Sequence, residues 1–376
     1  MRLITLTTKN FRNLAPQTLI FHHEFNFIFG KNAQGKTNII EAIAYISDLK
    51  SFRSVNKADL IQTGAAFASL KARVQQDERD YEIAVSLTPA ERQVLVNAKR
   101  ATSQRDYHSI LPTILFEPRH IYLWRDTPSH RRQYLGRAMS LINPVHTTLL
   151  HDYDRVISQK NRLLKDRAPY SQIDVWNQQI VELGSRIIKQ RSQWTNDISS
   201  LIAQEYESLS HSGETLSLKY EPSNHLIAPT LDQIALTEAD IKMLLAQKIA
   251  ERTTDEMERR ESLVGPHRDD LRALLDKRDM GQFGSQGENR TAVIALKLAQ
   301  LKMYVEQHGA PPLFLLDDVA SELDEKRCTS LFSYLRDEHT QVFITTTENR
   351  MHGVDYSHHA SFFEVENGNV TTRSHE

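Results

Sequence analysis

At 376 residues, with 40% hydrophobic and 25% charged side chains, the chain has the balance of a soluble globular protein with room for two or three units, not of a disordered one. Its formal net charge of −2 supplies no global field for nucleic acid, so any DNA contact must come from a local basic patch. The single cysteine, Cys328, excludes an internal disulfide and a cysteine metal cluster, and no apolar run has the length of a membrane span, so a cytoplasmic location is the expectation.

Met1–Leu6 alternates as a strand and lacks the apolar block and cleavage site of a signal peptide. Phe25–Phe29 reads as a short apolar strand. The stretch 37–48 predicts a buried helix, apolar at Ile39, Ile40, Ile43, Ala44 and Ile46. Between them Gly30-Lys31-Asn32-Ala33-Gln34-Gly35-Lys36-Thr37 matches G-x-x-x-x-G-K-[ST] in full, in the strand-to-helix context that the motif requires. Its glycines let backbone N–H groups turn toward phosphates, and the helix N-terminus adds a positive dipole end. Lys36 is expected to face solvent until it reaches the β- and γ-phosphates of ATP, and Thr37 to ligate Mg²⁺. Lys50, Arg53 and Lys57 follow as a candidate basic surface, and 67–74 and 81–87 alternate as paired strands.

Arg119 to Arg137 carries five arginines and two histidines against one acid, with Tyr122, Trp124 and Tyr134 interleaved. Centred on Arg131 and Arg132, it is either a phosphate-binding patch, or a solvated face or set of internal ion pairs. Nothing resembles a helix-turn-helix or zinc finger, so base-specific readout is not expected. Trp176, Ile180, Leu183, Ile187, Trp194, Ile198 and Leu201 fall largely on 4-3 spacing, interrupted by Gln190 and Asp197. That suits two facing helices split near Ala168-Pro169, or an ordinary helical core. Pro222–Pro229 reads as a linker, and a charged helix runs from about Thr237 to Arg260. Farther on, Leu313–Leu316 is a fully apolar strand ending in Asp317-Asp318. Acids at the carboxyl end of such a strand sit where α/β sheets bind ligands. Asp317 would hold Mg²⁺ and Asp318 would polarise an attacking water. Three parts follow: 1–115 with the phosphate loop, a mainly helical 116–260, and 261–376 with the acid-ended strand.

The order of phosphate loop, long insert, Ser-Gln-Gly loop, acid-ended strand and Ser321-Glu322-Leu323-Asp324 resembles the ABC-type ATPase heads of SMC-like proteins. Four stretches narrow the resemblance to the RecF family of bacterial recombination mediators. They are Asn10-Phe11-Arg12-Asn13; Leu111-Pro112 running into Pro128 and Arg131-Arg132; Gly265-Pro266-His267-Arg268-Asp269-Asp270; and Phe283-Gly284-Ser285-Gln286-Gly287-Glu288-Asn289-Arg290, where Glu288-Asn289 replaces a more usual glutamine pair. The resemblance implies an α/β ABC-type head with an inserted, mainly helical lobe. It makes Ser285, Gln286 and Gly287 a signature that completes the ATP site of the opposite subunit, Ser321 and Asp324 a loop crossing that interface, and Thr346 and Thr347 the switch position. Asp318 in place of a glutamate, and threonines in place of a switch histidine, suggest slow hydrolysis. The implied protein is a weak, DNA-stimulated ATPase in which ATP chiefly clamps a homodimer. It would bind gapped or single-/double-strand junction DNA without sequence preference and help RecR, with RecO, to load RecA, in support of replication restart and SOS induction. An ATPase subunit of a membrane transporter, a P-loop kinase and an SMC-like structural head are the competing readings. His267 and Arg268 carry either structural bonds or a nucleotide contact.

Overall fold

The computed structural model describes the chain except for residues 55, 77–78, 102–106, 224–225, 228–233, 319–324, 348–358 and 374–376. Contacts divide it into two units: Met1–His120 with Tyr304–Glu376, and Ile121–Met303. The division at His120 lies close to the expected one at 115/116. Residues 261–303 were expected with the C-terminal part of the head but group with the second unit. The reason is pairing: Asp270–Leu275 lies antiparallel to Leu216–Glu221, a strand that follows the long helices directly.

The first unit holds two sheets. In the antiparallel one, Arg2–Lys9 pairs with Gln17–Ile20 and Ala68–Gln76, and Ala68–Gln76 pairs with Arg79–Leu87. The last two are the strands expected from alternation, which buries Leu70, Ala72 and Val74 together with Ile83, Val85 and Leu87. In the other sheet, Val342–Thr346 lies parallel between Phe25–Phe29 and Leu313–Leu316. Thr113–Phe116 and Ala360–Glu366 extend it on either side, also parallel, and Asn369–Arg373 closes one edge antiparallel. Phe25–Phe29, Val342–Thr346 and Leu313–Leu316 are buried at every residue, as strands covered on both faces are. The helix Lys36–Asp48 joins the sheets: Ile39, Ile40, Ile43 and Ile46 share one core with Leu3 and Leu6 of the first and Leu313, Leu315, Phe343 and Phe363 of the second. Because the three central strands are parallel, the loops after Phe29, Leu316 and Thr346 leave from one edge.

The second unit is built on the helices Val145–Lys165 and Tyr170–Ser210, split where the sequence predicted, with Glu238–Arg259 packed on the longer one. Ile180, Ile187, Trp194 and Ile198 of the expected stripe are buried. Gln190, which interrupts it, is engaged by His146, whose Nδ1 lies 2.7 Å from the Gln190 Oε1. Thr237 and Asp240 form a reciprocal cap on the charged helix, which fixes its start.

Burial holds the pKa of both His146 and His267 down to about 4. Each therefore stays neutral when folded but takes up a proton when unfolded at any pH below the ordinary 6.5. Their contribution is fully present above pH ~6.5 and is lost as pH falls toward about 4. Trp124, Trp176 and Trp194 are all the tryptophans of the chain and all lie in this unit, so their fluorescence reports its unfolding. The fluorescence melting temperature is expected to fall between pH 7 and 5, and to fall less in a His146→Gln/His267→Gln double variant.

Candidate functional site

The phosphate loop leaves the strand through Gly30 at φ 148° and enters the helix through Gly35 at φ 120°. A Cβ at Gly30 would stand 2.4 Å from the Val365 carbonyl oxygen, and one at Gly35 would stand 2.8 Å from Asn13 Oδ1. Both backbone conformation and space therefore require glycine. Lys31, Asn32 and Ala33 are exposed. Lys36 departs from expectation. It is not turned to solvent but is 7% exposed, with Nζ donating to the carbonyls of Gly30 at 2.7 Å and Lys31 at 3.0 Å. Stretched along its own loop, the ammonium satisfies its donors on carbonyls that phosphate oxygens could replace. Burial lowers its pKa, opposed by the charges of Asp318 and Asp317.

Thr37 and Asp317 meet as the motif pairing predicts: the Thr37 hydroxyl donates to Asp317 Oδ1 at 2.9 Å. Thr345 donates to the same oxygen, also at 2.9 Å, and its hydroxyl accepts the Asp318 N–H at 2.7 Å. Thr345, fully buried, thus bonds to both acids, and the expected switch residues Thr346 and Thr347 follow it directly. Pleat explains why Thr345 meets the acids. Leu313, Leu315 and Phe343 point into the core around the helix, so two residues on Asp317 and Thr345 face the same side. Counting by twos from Phe343 would have found it. Burial raises the pKa of Asp317, while the bonds from Thr37 and Thr345 lower it. One carboxylate and one hydroxyl suit Mg²⁺, which is ordinarily completed by waters and substrate phosphates rather than an all-protein cage. Asp318 adopts a left-handed φ of 52°, which turns its backbone out of the strand. Ser321 and Asp324 lie outside the described residues.

The stretch Asn10–Asn13 supports this site from beneath. Arg12 forks onto the fully buried Glu41 of the loop's helix, with Nε at 2.9 Å and the second donor at 2.7 Å. Such a bidentate pair offsets the cost of burying the carboxylate.

Ser285, Gln286 and Gly287 open the helix Gln286–His308. Ser285 N–H donates to Glu288 Oε2 at 2.6 Å and Glu288 N–H to the Ser285 hydroxyl at 3.2 Å, a reciprocal capping box. Asn289 Nδ2 donates to the carbonyls of Gly284 at 3.0 Å and Ser285 at 2.8 Å. The unusual Glu288-Asn289 pair thus fixes the loop's shape. Ser285 and Gln286 are exposed, nothing stands within 4 Å of a Cβ at Gly287, and the neighbouring Phe283 is 66% exposed.

The motif from Gly265 to Asp270 is an interior fastening of the second unit. His267 Nδ1 lies 2.8 Å from the Tyr153 hydroxyl and Nε2 lies 3.2 Å from the Ser262 carbonyl, which suits a neutral ring. The buried Asp269 accepts from Arg191 at 3.3 Å, from the Ser223 N–H at 2.8 Å and from the Tyr220 hydroxyl. Arg268 bonds to the Ser262 carbonyl and Glu261. His267 and Arg268 therefore both carry structural bonds. Arg131 likewise forks onto Asp270 at 2.7 and 2.6 Å, and Arg132 donates to the Asp269 carbonyl at 2.7 Å. Of the two readings of that patch, internal pairing describes both residues. Lys57 is half-buried, with its ammonium on the Ala90 carbonyl at 2.8 Å.

Residues 2–371 match the RecF/RecN/SMC N terminal domain. The DNA replication and repair protein RecF of Geotalea daltonii is 33% identical over 370 residues, covering 98% of this chain and 100% of the relative. That of Citrifermentans bemidjiense is 36% identical over 355 residues, covering 94% and 95%. Among solved structures, the recombination mediator protein RecF-ATPrS in the RecFOR pathway superposes with a TM-score of 0.88 at 29% identity, covering 99% of this chain and 98% of that one. The SMC head bound to the C-winged helix domain of ScpA shares the fold, with a TM-score of 0.57 at 17% identity over 100% and 98% of the two chains. The fold is thus the ABC-type head with a helical lobe that the motifs predicted. The chain belongs to the RecF family of DNA replication and repair proteins.

Proposed function

We propose that this chain binds ATP with Mg²⁺, dimerises on it, and uses the dimer as a clamp on DNA during recombinational repair in the cytoplasm. The observation that carries the reading is the Thr37–Asp317 bond, which brings the metal-binding hydroxyl and carboxylate together across 280 residues of sequence. Similar RecF structures are named with ATPrS and with ATP. Thr37 and Asp317 would hold Mg²⁺, which supplies charge neutralisation at the phosphates. Gly30–Lys36 cradle the phosphates and Asp318 orients the attacking water. Ser285, Gln286 and Gly287 would complete the site of the opposite subunit, a role supported by their exposure, by the preformed cap and by the apolar Phe283 beside them. Ser321 and Asp324 would cross the same interface. Thr346 and Thr347 stand at the switch position, beside the Thr345 that bonds the acids, and a hydroxyl cannot carry the charge that imidazolium does, so turnover is slow; stimulation by DNA is part of the same proposal. Lys57 with Arg53 offers a DNA phosphate surface, whereas Arg131 and Arg132 serve the lobe. RecR, with RecO and RecA downstream, are the proposed partners. Among the described residues no helix is long and apolar enough to cross a membrane.

Sedimentation without nucleotide, with ADP and with ATP, each with and without gapped DNA, tests the proposal. Monomers are expected without nucleotide and with ADP, and a dimer with ATP that DNA strengthens. A sedimentation coefficient indifferent to ATP in both series would refute it.

A further inference from the structure

Two segments from opposite ends of the chain hold the phosphate loop from outside. The Gln34 carbonyl accepts from Asn13 Nδ2 at 3.2 Å and from the Gly368 N–H at 2.9 Å. The Gln34 side-chain Oε1 accepts from the Asn367 N–H at 2.6 Å. Asn13 is itself fixed, since its Oδ1 accepts from Asn38 Nδ2 at 2.7 Å in the first turn of the loop's helix. The Gly368 carbonyl in turn accepts from the Ala15 N–H at 2.9 Å and from Gln17 Nε2 at 3.2 Å. Asn367 and Gly368 both take left-handed φ, at 50° and 81°, and a Cβ at Gly368 would fall 1.9 Å from the Asn13 carbonyl oxygen. Only glycine fits there, which ties the turn between the last two strands to the turn after the first.

In a trans peptide the carbonyl and the next N–H point in opposite directions. Two donors that draw the Gln34 carbonyl outward therefore aim the Gly35 N–H into the loop's concave side, where a phosphate oxygen binds. We propose that Asn13 and the Asn367-Gly368 turn are positioning elements of the nucleotide site, setting the Gly35 amide before nucleotide arrives. This rests on the reading of Gly30–Thr37 as a nucleotide site. A loop whose carbonyl is already turned loses less freedom on binding, so the gain appears as affinity. Asn13 is exposed and lies outside the hydrophobic core, so its effect on folding is separable from its effect on the loop.

The test is equilibrium binding of ATP and of ADP to Asn13→Ala, with nucleotide-free melting and Lys36→Ala measured alongside. Backbone amides cradle the α- and β-phosphates, which both nucleotides carry, so Asn13→Ala should weaken both by about tenfold. The nucleotide-free melting temperature should stay within about 2 °C of the parent. Unchanged affinity in Asn13→Ala overturns the proposal. So does an affinity loss accompanied by a nucleotide-free melting drop of more than about 5 °C, because the asparagine would then hold the fold rather than the loop. Lys36→Ala separates the two levels. If it loses ATP while Asn13→Ala keeps it, only the positioning role fails; if both bind ATP normally, the nucleotide site itself is misplaced.

Discussion

Lys36→Ala should abolish ATP-dependent dimerisation and weaken ATP binding by about a hundredfold, the scale of a lost charge-assisted contact to phosphate. Its effect on stability should be small, for a reason that needs the structure. The ammonium is buried, which disfavours its charged form, but it donates to the Gly30 and Lys31 carbonyls. Removing it discards two hydrogen bonds together with a desolvation cost, and the two carbonyls are left at a loop surface that water can reach. The nucleotide-free melting temperature is therefore expected to move by no more than a few degrees, as for substitutions within about 1 kcal/mol. Calorimetric titration with ATP beside a thermal melt checks both halves. Parental ATP affinity in Lys36→Ala would contradict the assignment of the loop.

Asp318→Asn should leave ATP and Mg²⁺ bound and slow hydrolysis by about a hundredfold or more, the range of a lost general base. Asp317 keeps its bonds from Thr37 and Thr345, so the metal position stands. The backbone at 318 should also survive, because asparagine tolerates the left-handed φ of 52° and the Asp318 N–H to Thr345 is unaffected. A dimer that forms on ATP but does not release it should then persist on DNA. Phosphate release and dimer lifetime are the two readouts, and an unchanged hydrolysis rate would place the activating group elsewhere.

Legibility in the sequence followed distance along the chain. Gly30–Thr37 was readable because the motif is contiguous and its strand and helix flank it directly. The capping box was equally local: Ser285 and Glu288 stand in S-x-x-E spacing, and their mutual bonds follow from it. The bond of Thr345 to the acids needed only the period of two along its strand, counted from the apolar Phe343. Thr37 and Asp317 were readable as partners across 280 residues because each stands in a motif of its own, whereas long-range pairings without such motifs were not readable. Arg131 meets Asp270 across 139 residues, so the choice between a phosphate-binding patch and internal ion pairs stayed open in the sequence. The Gln34 carbonyl meets Gly368 through a turn at the far end of the chain, and nothing in either local pattern announces the other. The regrouping of 261–303 has the same origin, since a strand's partner is set by topology and not by its own alternation.

The central claim is that one chain's phosphate loop and the other chain's signature bind the same ATP, and mixing two defective chains tests it most directly. Ser285→Arg keeps Gly30–Thr37 intact, so its monomer should bind ATP nearly normally, while a bulky cation blocks the place of the small donor. Lys36→Ala keeps the signature intact. Neither should dimerise alone. In the heterodimer one composite site carries both lesions and the other carries none, so a mixture with saturating ATP should show partial association by sedimentation that neither chain shows by itself. Parental ATP-dependent dimerisation of Ser285→Arg alone would contradict the account.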